Sequence, residues 1–394
     1  MPSFLGYDKK DVILKLHYGW WNMFKNKKML LILAGLVIVA AVVVWLAVGG
    51  KGDDSGNTAA TETPGGATVT EEGGTKALAQ TFYIYDTVVN IKIFGNDATQ
   101  QNMDDIQSML ERMDTQFSRT KEDGELYAVN RAAGKEAVAV SDETLDIVKL
   151  SIKYAEDMDG LYEPTIGPLV DLWAIGEGGE RVPDQAAIDT AKSLANYKDI
   201  IIDENAKTIK LAREGMVLDM GGIGKGYAAD RIADYLKEQG LDSAMINLGG
   251  SSIIALGNKP NGSPWNIGLQ DPDQSRGTQL GTIKITDEVI DASGVYERYF
   301  MQDNIRYHHI LDPRTGYPSQ NGLKSITIMS PSATDADALS TGVFLMGLEE
   351  GMAYLKSLPE DVEAFFITDD NKIYATDGIR ERLQLTDPTY SFAD

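Results

Sequence analysis

Three clusters in this 394-residue chain have residue types and spacing that could do chemistry. The first is Asp219-Met220-Gly221-Gly222-Ile223-Gly224-Lys225-Gly226, set between a short apolar run and a helical pattern. Glycines let the backbone approach a ligand closely, and a helix start offers free N–H groups to phosphate. Two familiar motifs nearly fit, and both fail. A P-loop needs Ser or Thr after Gly-Lys, where Gly226 stands, and a dinucleotide fingerprint survives only as Gly224-x-Gly226-x-x-Ala229. The plain alternative is a packing turn. The second cluster is Thr334-Asp335-Ala336-Asp337-Ala338-Leu339-Ser340-Thr341. On a helix, Asp337 and Thr341 project their oxygens from one face, and carboxylate plus hydroxyl suits a hard cation such as Mg²⁺. The competing reading is a capping box in which Thr334 caps the helix and Asp337 reaches back.

The third cluster is Arg306-Tyr307-His308-His309-Ile310-Leu311-Asp312-Pro313-Arg314-Thr315-Gly316-Tyr317-Pro318. A strand here puts His308 and His309 on opposite faces, so they are poor joint ligands for one metal. With no cysteine in the chain, a zinc enzyme is disfavoured. One of the two imidazoles could act as general base, while Asp312 to Gly316 also reads as a simple turn. Taken together, a phosphate-binding loop, a Mg²⁺ pair and one histidine point to phosphoryl or nucleotidyl transfer.

The elements that must position these residues are legible in outline. Thr81–Gly95 alternates as one or two strands, and Met103, Ile106, Leu110, Met113 and Phe117 recur at helical spacing. Leu145, Val148, Ile152 and Ala155 repeat that spacing. Short apolar runs predict strands at 199–203, 207–211 and 216–219, followed by a helix over 222–240 that ends on glycine. Further strands are predicted near 243–248, 252–256, 265–270, 280–285, 305–311 and 323–330, then helices over 335–347 and 349–357, then strands at 362–367 and 372–376. So many consecutive strands without intervening helices predict an α+β mixed-sheet domain rather than a doubly wound parallel sheet.

Composition narrows the function classes. The chain carries 36 Lys plus Arg against 59 Asp plus Glu, a net charge of −23, and no cysteine. Residues 1–51 hold seven Lys and two Asp, net +5, so the remainder carries −28. A body that acidic is a poor nucleic-acid binder. Without cysteine there is no disulfide scaffold, thiolate metal site or cysteine nucleophile. From Met29 to Gly50 run 22 uncharged residues, long enough to cross a hydrocarbon core of about 30 Å. Lys25, Lys27 and Lys28 precede that run and Asp53 and Asp54 follow it, which places the amino terminus in the cytoplasm and the rest outside. A cleaved signal peptide and a buried core helix are the alternatives. The expected organisation is a cytoplasmic stub (1–28) containing His17, a transmembrane helix (29–50), a flexible linker (51–80) and one catalytic domain (81–394).

The body resembles the ApbE-type FAD:protein FMN transferases over nearly its whole length. The matching segments are Phe117-Ser118-Arg119 with Glu125-Leu126 and Asn130, Pro164-Thr165-Ile166-Gly167-Pro168-Leu169 leading to Trp173, and the Asp219–Gly226 loop. They continue through Asn247-Leu248-Gly249-Gly250, Ser293-Gly294, His309 to Gly316 and Ala336 to Thr341, in the family's order. The resemblance implies binding of FAD and Mg²⁺ outside the cytoplasmic membrane. It implies transfer of the FMN phosphoryl group to a threonine of a target flavoprotein, with release of AMP. Carried over by position, Asp337, Thr341 and the backbone carbonyl of Gly222 would hold the metal. His309 matches the family's catalytic histidine, and His308 falls where the family varies. Asp219, Lys225, Leu311, the stretch Leu161-Tyr162-Glu163 and Tyr85 match FAD-contacting positions.

The sequence departs from the family pattern at Gly224, usually Ala, and at Glu163, usually Asp. It also departs at Ala292, usually Thr, and at Ser251, often acidic. Two other function classes share these features: a Mg²⁺-dependent FAD pyrophosphatase giving FMN and AMP, and a non-enzymatic extracytoplasmic flavin-binding protein. A nicotinamide dehydrogenase fits the loop poorly. The acceptor is expected to be a separate flavoprotein, a membrane-associated or extracellular redox protein held near the enzyme by the membrane helix.

Overall fold

The structure is a computed structural model that describes residues 66–359 and 361–393. The expected cytoplasmic stub and the membrane helix over 29–50 lie outside the described residues. Among the described residues no helix is long and apolar enough to cross a membrane.

One ten-stranded sheet organises the body. Its strands are β1 (Thr68–Glu72), β2 (Thr75–Ile84), β3 (Thr87–Phe94), β4 (Ser243–Leu248), β5 (Ser252–Leu256), β6 (Glu288–Gly294), β7 (Leu323–Ser330), β8 (Glu363–Thr368), β9 (Lys372–Ala375) and β10 (Ser391–Phe392). Spatial order follows chain order, and all neighbours are antiparallel until β10, which lies parallel to β9. Strands adjacent in sequence thus pair directly, and longer connections carry the helices and the site.

Period-two burial decides which side chains face which layer. Ile246, Ile254, Ile326 and Ile328 point to one face, where they share a core with Met103 and Ile106 of α1 (Gln100–Gln116), Ile147 and Val148 of α2 (Asp142–Asp157), Leu236 of α3 (Gly224–Glu238) and Val343 of α4 (Ala333–Met346). The opposite face holds a second core, in which Ile290, Met329 and Phe365 meet Trp265, Ile267 and Leu280 of a separate three-stranded sheet. The expected α+β class and mixed sheet are therefore what the chain forms.

Four expectations differ from the structure, each for a local reason. The linker expected up to residue 80 contains β1 and half of β2, which pair from Thr68↔Ala79 to Glu72↔Thr75. Gly73 and Gly74, both at positive φ, make the tight turn between them, a hairpin signal that small, polar composition hid. The strand expected at 216–219 is not a ladder strand. The side chain of Asn130 accepts from the Leu218 amide at 2.7 Å and donates to its carbonyl at 3.0 Å, and Val217 makes only a single bridge to Ile166. Strand β6 was not anticipated, because Asp291, Ala292 and Ser293 interrupt the apolar run at its centre. The predicted strand 305–311 ends at His308, pairing with Tyr299–Gln302 as a two-stranded hairpin.

Candidate functional site

The site forms where the first turn of α3 meets the second turn of α4. Their contact depends on Gly226: a Cβ there would lie 2.2 Å from the Ala333 carbonyl oxygen and 2.7 Å from the Asp337 Cβ. With no side chain in the way, the Gly226 amide donates to Asp337 Oδ2 at 2.9 Å. Gly226→Ala is therefore expected to push the two helices apart, at a cost of about 1–3 kcal/mol. Urea unfolding would measure this, and an unchanged midpoint would mean that the contact is slacker than the distances say.

That amide bond overturns the capping-box reading of Asp337. Ser332 is the N-cap of α4, its side chain accepting from the Asp335 amide at 3.2 Å. The remaining helix-start donors are taken by Asp230 of α3, which accepts from the amides of Ala333 at 2.8 Å and Thr334 at 2.9 Å and from the Thr334 hydroxyl at 2.6 Å. Asp337 is thus released from capping and faces α3. Asp230 was not singled out in the sequence. Its signal was an acidic residue one turn after Gly226, on the same helix.

Lys225 and the loop before it complete this corner. The Lys225 ammonium lies 3.9 Å from Asp337 Oδ1, beyond hydrogen-bond distance but close enough for a strong field. Asp219 accepts from the Gly221 amide at 2.7 Å through Oδ1 and from Arg119 Nε at 2.9 Å through Oδ2. Arg119 also pairs with Asp171, so it ties the Gly-rich loop to the neighbouring helix. Its role was missed because only spatial proximity reveals it. The loop itself is a poorer phosphate cradle than the glycines suggested. The amides of Gly221, Gly224 and Gly226 are engaged by Asp219 Oδ1, the Met220 carbonyl and Asp337 Oδ2.

The two histidines separate cleanly. His308 is buried, with Nε2 2.6 Å from the Ser319 carbonyl and Nδ1 accepting from the Ile310 amide at 3.3 Å. A carbonyl only accepts, so Nε2 carries the proton and both ring nitrogens are occupied. Burial holds the His308 pKa below its ordinary value. His308 is a structural histidine. His309 is half-buried, and its Nδ1 lies 3.3 Å from the Arg298 carbonyl, which fixes the proton on Nδ1 and leaves Nε2 as the acceptor. Its pKa is held well below the ordinary range, by burial first and then by the Arg298 guanidinium and His308, with Lys225 contributing in the same sense.

The flavin-contact candidates divide by position. Tyr162 is buried with its hydroxyl unpartnered, and its ring edge lies 3.1 Å from where a Gly222 Cβ would sit. Asp337 and Asp219 both raise its pKa further after burial has done so. Glu163 is buried, and both its oxygens have protein donors. Its Oε1 accepts from the Thr165 amide at 2.8 Å and hydroxyl at 2.6 Å, and its Oε2 accepts from the Tyr197 amide at 3.0 Å. Burial nonetheless raises its pKa, against those bonds. Leu161 belongs to the main core, whereas Leu311 packs in a third cluster with Leu169, Trp173 and Ile188. Tyr85 sits at positive φ in the β2–β3 turn; after burial, the charges acting on its hydroxyl are Asp114, Glu143 and Arg112. The structure thus brings together Asp219, Gly222, Lys225, Tyr162, Asp337 and Thr341. An open groove of about 600 Å³ between the helices Gly167–Trp173 and Gln185–Ser193 holds none of these six.

The residues present fit a hard divalent cation. Among the described residues no three His, Asp or Glu side chains are disposed as a metal cluster, so hydroxyl and backbone oxygens must supplement any single carboxylate. Asp337 is 4% exposed, and its Oδ1 has no donor within hydrogen-bond distance. The Thr341 hydroxyl lies 3.3 Å from where a Gly222 Cβ would be, so the Gly222 backbone approaches the turn that carries Asp337 and Thr341. All these donors are oxygens, which suits Mg²⁺ rather than zinc.

The chain is similar to proteins of known family and structure. The sequence profile of the ApbE family matches residues 85–366. The chain is 35% identical over 304 residues to a FAD:protein FMN transferase of Klebsiella pneumoniae, covering 77% of this chain and 93% of that one. It is 34% identical over 301 residues to a FAD:protein FMN transferase of Treponema pallidum, covering 73% of this chain and 83% of the relative. Among solved structures, the flavin transferase ApbE from Vibrio cholerae superposes with a TM-score of 0.69 at 31% identity, covering 78% of this chain and 99% of that one. The ApbE protein of Thermotoga maritima gives 0.71 at 30% identity, with the same coverage of 78% and 99%.

Proposed function

The chain belongs to the ApbE family, and from that membership we propose that it is an FAD:protein FMN transferase acting on a threonine of a target flavoprotein. The product is a phosphoester-linked FMN, AMP is released, and the reaction requires Mg²⁺. The observation that carries this reading is the position of Lys225. Its ammonium acts on Asp337, Asp291 and His309 at once, which supports a reading in which one cation for phosphate, one carboxylate for metal and one imidazole work on the same substrate.

The chemistry follows from these residues. The Lys225 ammonium would hold the FAD pyrophosphate, which an acidic body would otherwise repel. The acceptor threonine oxygen forms a bond to the flavin-side phosphorus while the phosphoanhydride bond to AMP breaks. His309 Nε2 takes the hydroxyl proton, its ring held in register by the Arg298 carbonyl. Held by Asp337, Thr341 and the Gly222 carbonyl, Mg²⁺ would supply Lewis-acid stabilisation of charge on the departing phosphate. Tyr162, Asp219 and Leu161 would line the flavin side of this corner, with Glu163 bracing Thr165 and Tyr197. Tyr85 and Leu311 would reach more distant parts of FAD.

A pH profile tests the base. Because the His309 pKa is depressed, its neutral, proton-accepting form persists below pH 6.5, so activity should stay level from pH 8 to 6 and fall only at lower pH. A limb centred near 6.5 that disappears in His309→Gln would contradict the depressed value.

The same reading extends to the rest of the chain. Residues 29–50 would span the cytoplasmic membrane, 1–28 would lie in the cytoplasm, and the linker would hold the catalytic domain outside at raised concentration near membrane-bound redox partners. The test is incubation of the full chain with FAD and Mg²⁺, with and without an unmodified threonine-bearing flavoprotein, following AMP. AMP that appears in step with acceptor supports transfer. AMP with free FMN in the absence of acceptor supports the pyrophosphatase, and intact bound FAD supports the carrier.

A further inference from the structure

Behind Asp337, on the sheet side of α4, lies a carboxylate that this mechanism does not use. Asp291 of β6 is 1% exposed, yet its Oδ2 has no hydrogen-bond partner. Its Oδ1 is 3.1 Å from the Ser340 hydroxyl, but that hydroxyl is also 2.9 Å from the Asp337 carbonyl and 2.8 Å from Ser293 Oγ. One hydroxyl proton cannot serve both acceptors, so Asp291 receives at most a shared donor where a carboxylate offers about four acceptor sites. Directly across the ladder, in register with Asp291, is Ser252 of β5, fully buried, its hydroxyl just outside hydrogen-bond distance of any partner yet near enough to favour the ionised Asp291 carboxylate.

A buried carboxylate this short of donors is costly unless a cation compensates it. The groups acting on it name the place. After burial, the Asp337 carboxylate raises its pKa, while Lys225, Ser252 and Ser340 oppose that shift. Asp337, Ser340 and Thr341 fall at i, i+3 and i+4 of α4 and therefore share the face that covers Asp291. Asp291 and Asp337 thus lie on either side of the Ser340 hydroxyl, with Ser252 and Ser293 adding hydroxyls and Lys225 acting on both carboxyl groups. Neither Asp291 nor Ser252 is among the residues assigned to the metal by position.

We propose that Asp291 is the second carboxylate of the divalent-cation site, serving from the sheet side the same cation that Asp337 and Thr341 hold, with Ser252 and Ser340 orienting it. The inference rests on the Mg²⁺-dependent reading and names a residue that tunes affinity for the metal. The alternative is a neutral carboxyl that only fills the space between β5, β6 and α4.

Mn²⁺ uptake separates these, read from the electron paramagnetic resonance signal of free Mn²⁺, with the full chain, FAD present and acceptor absent. Asp291→Asn is nearly isosteric and is expected to weaken Mn²⁺ binding by about 10-fold or more, with Ser252→Ala moving it the same way by about 3-fold. Asp337→Ala in the same titration reports on the underlying reading. If Asp337→Ala binds Mn²⁺ as the wild type does, or the wild type takes up none, the metal assignment falls and this inference with it. If Asp337→Ala loses Mn²⁺ while Asp291→Asn and Ser252→Ala keep wild-type affinity, only this inference is overturned. Should Asp291→Asn fail to fold, an unchanged affinity in Ser252→Ala alone would overturn it.

Discussion

Replacing Asp337 by alanine is expected to abolish metal-dependent turnover, with AMP release at saturating Mg²⁺ falling by about 10³-fold or more, several kcal/mol of barrier. The size of the effect follows from the site's chemistry. Asp337 is the one carboxylate on the face shared with Thr341 that also meets the Gly-rich loop, and Lys225 alone would then have to offset the pyrophosphate charge. Alanine removes a second function too, since the Gly226 amide would lose its acceptor at 2.9 Å. Asp337→Asn separates the two effects. Its side-chain oxygen still accepts from Gly226 and keeps α3 against α4, while the negative charge is gone. The expectation is near-wild-type unfolding for the asparagine variant together with activity as low as that of the alanine variant. Wild-type activity in either variant at saturating Mg²⁺ would remove Asp337 from the metal.

The second large effect is expected at His309. His309→Ala should slow formation of covalent flavin on the acceptor by about 10²- to 10⁴-fold, the range for loss of a positioned general base. Binding of FAD and of the metal should change little, because in the proposed mechanism Nε2 serves only the acceptor hydroxyl, while Nδ1 is engaged by the Arg298 carbonyl. His308→Ala provides the contrast. Both His308 nitrogens are engaged inside the protein, so that variant should lose stability, and any loss of rate should track loss of folded protein. Equal kinetic defects in two fully folded variants would mean that the assignment of roles between the two histidines is wrong.

Much of this site was legible in the sequence because its parts are local. Asp337 and Thr341 declare themselves by helical spacing, and the glycine-rich loop by its position before a helix. Most strands of the central sheet could be read as short apolar runs, but not the hairpin at Gly73 and Gly74 that pairs the first two. What escaped is what depends on contacts between distant segments. Asp230 caps the neighbouring helix across more than one hundred positions, and Arg119 reaches Asp219 across one hundred, so neither has a local signature. Strand β6 escaped because Asp291 and Ser293 look like loop residues until α4 is laid over them. The glycine loop misled in the opposite direction. Its composition advertised free amides, and only the folded geometry shows that three of them are already bonded within the protein.

The most direct test of the central claim is intact-mass analysis of the denatured acceptor. A threonine-bearing flavoprotein, produced without its covalent flavin, would be incubated with the full chain, FAD and Mg²⁺, beside a copy whose acceptor threonine is valine. The account predicts a mass gain of one FMN less one water on the first protein, AMP in equal amount, and no gain on the second. FAD consumed to AMP and free FMN with no gain on either protein, or FAD left intact, would contradict it.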